Sequence, residues 1–174
     1  MSKQLRFYNL SKDDMTFSEV YKHIESFIAA EPRGRYRLMI GTDSQTHSRS
    51  TRFITGVVIR REGRGVWACV RKKEVRRVIV NLHEKMSMET HLTEEVAQLF
   101  TAAKKQRLVQ LILPHIKEGS SFTFEGHLDV GNGTRNKTKV YVEEMMERLT
   151  MHGMKARVKP DSFVASSYAN KYTK

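Results

Sequence analysis

Apolar residues near the start of the chain recur at intervals of three and four, which is the spacing of a helix. Thr16 and Glu19 stand before them as a capping box, and Pro32 and Gly34 close the pattern. The apolar positions are Phe17, Val20, Tyr21, Ile24, Phe27 and Ile28. We therefore predict that the first element is an amphipathic helix.

Three apolar runs joined by short connections follow this helix. The first covers about residues 36–42 and leads into the sequence IGTDSQ, Ile40 to Gln45. The second, residues 53–59, is apolar on both alternating faces, and the turn REGRG connects it to the third, residues 66–70. Short connections between such runs indicate an antiparallel meander of three strands. The pattern leaves open whether residues 76–80 continue the third strand.

Helical and extended patterns then alternate. A buried stripe predicts a helix that begins near Ser87 and runs on to Ala103. The segment RLVQLILPHIKEG, residues 107–119, is compatible with a strand or a kinked helix, since Pro114 prevents an undisturbed helix, and we favour the helix. The stripe of the earlier helix consists of Met88, Leu92, Val96, Leu99, Phe100 and Ala103.

The last third of the chain contains two further strand patterns. In SFTFEGHLDV, residues 121–130, Phe122, Phe124, Gly126 and Leu128 share one face, and the residues between them share the other. Residues 137–152 are typical of a helix, KARVKPD (155–161) of a short strand, and residues 162–172 of a terminal helix. A meander followed by alternating helices and strands predicts an α/β fold with a mixed sheet covered by helices.

Composition limits the classes of protein to consider. A chain of 174 residues suits one compact domain, and no apolar run approaches the roughly 20 residues that cross a bilayer. The N-terminal residues lack the apolar core of a secretory signal, and the single cysteine, Cys69, excludes an internal disulfide and a cysteine-based zinc site. We expect a cytoplasmic protein with no membrane partner, and the sequence leaves the oligomeric state open.

The chain is strongly basic, with 31 Lys and Arg against 19 Asp and Glu and a net charge of +12. This balance favours a polyanionic partner, because each phosphate that a basic side chain neutralises releases counterions. Solubility alone is the plainer explanation. Because the basic residues cluster between residues 60 and 77, we favour nucleic acid as the partner. The residues expected to contact it are Arg71, Lys72, Arg76, Arg135 and Lys137.

Two aspartates stand at the ends of predicted strands. Asp43 ends the first strand and Asp129 ends the fourth, so that the two carboxylates meet at one edge of the sheet if those strands are neighbours. Carboxylate oxygens are the ligands that Mg²⁺ prefers, and two ions about 4 Å apart promote phosphodiester hydrolysis. Each aspartate is also an ordinary turn residue, which is the alternative for both.

The motifs IGTDSQ, EGHLDVG (125–131) and KPDSFVASSYANKYTK (159–174), with this element order, resemble the ribonuclease H-like superfamily and, within it, the YkuK-type family of bacteria. The resemblance implies a mixed five-stranded sheet flanked by helices, in a domain of residues 36–174 that an N-terminal extension, residues 1–35, precedes with one extra helix. It also implies a nuclease dependent on Mg²⁺ or Mn²⁺ that acts on RNA, DNA or a hybrid. The alternative is a nucleic-acid-binding module of the same fold with weak or no catalysis.

The resemblance assigns site residues position by position. Asp43 matches the aspartate of the first strand, and Asp129 matches that of the fourth. For the glutamate on the helix after the meander we favour Glu89 over Glu95, because Glu89 lies beside the buried stripe near the helix start.

The fourth acid of the superfamily is the point where this sequence differs. The final helix predicted here contains no acid, and Asn170 stands where one is expected. Asp161, just before that helix, is the candidate substitute, and its alternative role is to cap the helix N-terminus.

Overall fold

One five-stranded sheet organises the molecule. The structure, a computed structural model, describes residues 4–131 and 136–164. The strands lie in the order β3-β2-β1-β4-β5, with β2 antiparallel to both β3 and β1, and with β4 parallel to both β1 and β5. The predicted mixed sheet is therefore confirmed. The strands are β1 (Arg35–Thr46), β2 (Thr51–Arg61), β3 (Gly65–Val75), β4 (Ser121–Gly131) and β5 (Lys155–Lys159).

Four α-helices accompany the sheet in the described residues. They are α1 (Phe17–Ala29), α2 (Leu82–Ala97), α3 (Ala102–Ile112) and α4 (Asn136–Met151), and a 3₁₀ helix, Leu113–Glu118, follows α3. Thr16 caps α1 as predicted, because its side chain accepts a hydrogen bond from the backbone N–H of Glu19. None of the described helices is long and apolar enough to cross a membrane.

The prediction of one helix from Ser87 to Ala103 was wrong at both ends. Asn81 caps α2 by accepting the N–H of Glu84, so that the helix begins five residues earlier, at Leu82. Leu82 is half exposed, so its turn adds nothing to the apolar stripe from which the start was predicted. At the other end Thr101 accepts the N–H of Lys104 and begins a separate helix, α3.

Three further boundaries are now defined. The third strand ends at Val75, so residues 76–80 do not continue it. The ambiguous segment before Pro114 is helical, as favoured, and Pro114 lies in the 3₁₀ helix that follows. The first strand runs four residues beyond Thr42, to Thr46. Of the predicted terminal helix, residues 165–172 lie outside the described part of the chain.

The two faces of the sheet differ in what covers them. On the helix-covered face, defined by Leu38, Ile40, Val57 and Ile59, the strands share a core with the buried sides of α1 to α4. α1 belongs to this core through residues such as Ile24. The opposite face, defined by Met39 and Val58, packs against Phe163 and Val164, which follow β5. The predicted faces of β4 are confirmed, with Phe124 and Leu128 in the helix-covered core.

Candidate functional site

The parallel pairing of β1 with β4 brings Asp43 and Asp129 to one edge of the sheet. The last paired residues of these strands are Gly41 and His127. Asp43 and Asp129 each follow two residues later. Asp43 projects from the opposite face, since side chains alternate along a regular strand, whereas Asp129 lies in the irregular part of β4 between His127 and Gly131. The two aspartates are close enough that the charge of Asp129 raises the pKa of Asp43. The condition that the first and fourth strands are neighbours is thus met.

Gly41 allows the close approach on which this geometry depends. A Cβ atom at this position would lie 3.0 Å from the backbone oxygen of His127 and 3.2 Å from the Cβ of Val164. The first of these contacts is with backbone, which cannot rotate away. The glycine that precedes Asp43 in IGTDSQ is therefore required by the packing of β1 against β4 and the segment after β5.

Glu89 reaches the same edge from α2. Its carboxylate accepts a short hydrogen bond from the Ser44 hydroxyl, next to Asp43 on β1. One turn further along α2, the Thr93 hydroxyl is 2.8 Å from that of Thr42 and fixes the helix against the strand. Glu89 and Asp129 also line a small cavity of about 10 Å³ between α2, β4 and α4.

Glu94 and Glu95, the other acids in this part of α2, are engaged elsewhere. Glu95 accepts a hydrogen bond of 2.7 Å from Arg71 on β3. Glu94 joins α2 to α4, because its carboxylate bonds both Arg148 and His152. Of these three glutamates, Glu89 is the one that adjoins Asp43 and Asp129.

Burial and crowding leave the site short of positive charge. Burial, followed by repulsion from Asp129, raises the pKa of Asp43 to about 6. Burial is also the largest cause that raises the pKa of Glu89, to about 7, against the hydrogen bond from Ser44 and the charge of Lys85. Crowded acids with raised pKa values are typical of functional sites, because packing alone gives no reason to gather them.

Lys159 on β5 occupies part of this site. Its ammonium group forms an ion pair with Asp129 Oδ1 at 2.9 Å, and its charge also acts on Asp43. The pairing of β4 with β5 shifts register between His127 and Gly131, which sets Lys159 opposite Gly131 and beside Asp129.

The donor chemistry of the site fits a hard divalent cation, since the three carboxylates supply oxygen ligands. Their side chains are nevertheless held apart: Ser44 binds Glu89, and Lys159 binds Asp129. Within residues 4–131 and 136–164, no three His, Cys, Asp or Glu side chains are arranged so that they could hold a metal ion.

Asp161 lies away from these three acids. It is exposed, and it lines a separate cleft with Arg37, Arg157 and Phe163. The structure thus brings together three of the four predicted acids. Asn170 and the helix that Asp161 would cap lie outside the described residues.

The register of the sheet separates the predicted basic contacts. Asp43 pairs with Ile54, and Ile54 pairs with Lys72, so the exposed Lys72 shares the face of Asp43 two strands away, a distance of roughly 10 Å. Arg71 projects from the helix-covered face, is 8% exposed and binds Glu95. Arg76 is exposed after the end of β3. The predicted contacts Arg135 and Lys137 have side chains outside the described part of the chain.

Three comparisons with known proteins bear on this site. A family model described as Ribonuclease H-like matches residues 19–174. An uncharacterized protein YkuK of Bacillus subtilis (strain 168) is 41% identical over 174 residues, which cover 100% of both chains. No solved structure matches the chain significantly.

Proposed function

The chain belongs to the ribonuclease H-like family, and within it to the YkuK type; on that premise we propose that it is a metal-dependent nuclease that hydrolyses phosphodiester bonds of nucleic acid. The observation that carries the proposal is the meeting of Asp43, Glu89 and Asp129 just beyond the point where the pairing of β1 with β4 ends. Two of these acids have raised pKa values, and each comes from a different element.

Asp43, Asp129 and Glu89 would hold Mg²⁺ or Mn²⁺. Such an ion supplies positive charge that neutralises the phosphate and activates water. The chain contributes the placement of the oxygens: Gly41 sets the distance between the strands, and Ser44 orients the Glu89 carboxylate.

The nucleic acid would approach along the opposite face of the sheet. Lys72 lies on this face in register with Asp43, and the exposed Arg76 extends the positive charge beyond the end of β3. A phosphate backbone bound by these residues would pass beside Asp43. The net charge of +12 supports binding to a polyanion by the same chemistry.

A second candidate function is nucleic-acid binding with little or no hydrolysis. Two observations favour it: residues 162–174 contain no acid that could complete the site, and Lys159 already neutralises Asp129. In this function the basic surface would bind nucleic acid, and no metal ion would be needed.

A cleavage screen separates the two functions. Single strands, duplexes, hybrids and junctions of RNA and DNA would be incubated with the protein in Mg²⁺, in Mn²⁺ or in EDTA. We expect cleavage that needs metal, that Asp43→Asn abolishes, and that Asp13→Asn leaves intact, because Asp13 is an exposed acid in the N-terminal segment. Binding without cleavage of any substrate would favour the second function. Cleavage by Asp43→Asn at the parent's rate would reject this site.

A further inference from the structure

Lys159 faces the acids of the site from a strand that contributes no acid to it. Its ammonium group is 2.9 Å from Asp129 Oδ1, and the Lys159 side chain is 48% exposed against 23% for Asp129. Half of this side chain is therefore in solvent, so it can leave Asp129 without opening the core. Any cation that binds Asp129 at short range must take the place of this ammonium group or share the carboxylate with it.

We propose that Lys159 is an internal counter-ion that competes with the divalent metal for Asp129. The metal-free site is then neutralised by the chain itself, and metal loading requires the release of the lysine. The inference rests on the proposed function, because it assumes that Asp129 is a metal ligand. It gives a physical reason why the described acids are held apart. Lys159 forms an ion pair with Asp129, and the Ser44 hydroxyl donates a hydrogen bond to Glu89.

The pairing of β5 with β4 determines which lysine takes this role. Lys155, at the other end of β5, stands opposite Glu125, whereas Lys159 stands opposite Gly131, beyond the shift. Lys155 is exposed and has the same charge on the same strand. It is therefore the matched control for a general effect of net charge.

The test measures the dissociation constant of Mn²⁺ by calorimetry, without substrate, for the parent, Lys159→Met and Lys155→Met. Methionine keeps most of the aliphatic side chain and removes the charge. We expect Lys159→Met to bind Mn²⁺ about threefold to tenfold more tightly than the parent, because an ion pair of this exposure contributes modestly. Lys155→Met should match the parent. In an Asp129→Asn background Lys159→Met should give no gain, since the pair that it relieves is absent.

The other outcomes overturn the inference in distinguishable ways. A parent that binds Mn²⁺ while Lys159→Met binds it equally or more weakly rejects the competition and leaves the nuclease proposal standing. Equal gains in Lys159→Met and Lys155→Met would show an effect of net charge alone and reject it likewise. If neither the parent nor Lys159→Met binds Mn²⁺, the metal site itself is absent and both proposals fail. Circular dichroism of each variant would verify that it is folded.

Discussion

At the scale of single residues, the charge of Glu89 lowers the stability of the metal-free fold. Glu89 has an ordinary pKa of 4.5, which burial raises to about 7 in the folded protein. Its preference for the protonated form stabilises the fold fully below pH 4.5, and this contribution is lost as the pH rises through 7. At pH 8 the charged, buried carboxylate therefore lowers the free energy of unfolding.

We predict that Glu89→Gln stabilises the metal-free protein at pH 8, by about 1–3 kcal/mol from the size of the pKa shift. The gain should shrink as the pH falls toward 5, where Glu89 itself becomes protonated. Chemical denaturation in EDTA at pH 8 and pH 5 would measure both values. An equal gain in the free energy of unfolding at both pH values would mean that the lost charge of the Glu89 carboxylate is not its cause.

Some residues of the site were predictable and others were not, for a physical reason. Asp43 and Asp129 follow apolar runs, and a strand end exposes a short polar residue that the sequence shows directly. Ser44 and Lys159 carry no such signal. Their contacts with Glu89 and Asp129 depend on the docking of α2 and on the pairing of β5 with β4, which are tertiary features.

At the scale of elements, strand register decides which basic residues face the site. Arg71 and Lys72 are neighbours in sequence, and the alternation of β3 sends them to opposite faces. Lys72 shares the face of Asp43, whereas Arg71 is buried against Glu95. We predicted both residues as members of one basic cluster, because a predicted meander does not determine which side of the sheet carries the site.

We predict that Lys72→Ala weakens nucleic-acid binding and lowers the slope of log K against log[salt] by about 0.9 for B-form DNA, the value for one lost phosphate contact. Arg71→Ala removes the same charge and should leave the slope nearly unchanged, while it lowers the melting temperature by leaving Glu95 without its partner. Titrations of a labelled duplex at several salt concentrations would measure the slopes. Equal losses of slope in both variants would contradict the assignment of faces.

Helix boundaries show the same limit of sequence reasoning. The stripe of α2 predicted its buried side correctly at Leu92 and Val96. Its first turn was missed because the start is fixed by the Asn81 cap, not by apolar spacing. Glu89 consequently lies in the middle of α2, which holds it more firmly than a frayed first turn would hold it.

At the scale of the whole molecule, a buried ionic network ties the central strands to the segment after β5. Glu125 on β4 is fully buried, and Arg37 on β1 donates to both of its oxygens at 2.7 and 2.8 Å. His127 lies 3.1 Å from the same carboxylate, and its Nδ1 accepts the backbone N–H of Phe163. His127 is therefore a neutral packed residue that donates from Nε2, and not a member of the acid site.

This network sets the response of the fold to acid. Burial alone would raise the pKa of Glu125, but the hydrogen bonds from Arg37, His127 and Thr123 together hold it well below its ordinary value of 4.5. A lowered pKa stabilises the fold above pH 4.5, and this stabilisation is lost as the pH falls below that value. Burial also lowers the pKa of His127, so its contribution is lost in the same direction, below its ordinary value of 6.5.

We predict that Glu125→Gln lowers the free energy of unfolding at pH 7 by about 3–5 kcal/mol, because it leaves Arg37 without its buried partner. The difference between parent and variant should narrow toward pH 3, because below pH 4.5 the unfolded parent takes up a proton at Glu125 while the folded parent keeps the charge. Glu84→Gln is the matched control. Arg77 donates to both carboxylate oxygens of Glu84 at 2.7 and 2.9 Å, as Arg37 does to Glu125, but both side chains of this pair are about half exposed. Its loss should be small at either pH, because an ion pair in solvent contributes little to stability. Urea unfolding of the parent and both variants at pH 7 and pH 3 would give the six free energies of unfolding. A loss in Glu125→Gln no larger than the loss in Glu84→Gln would show that the buried network does not hold the strands together.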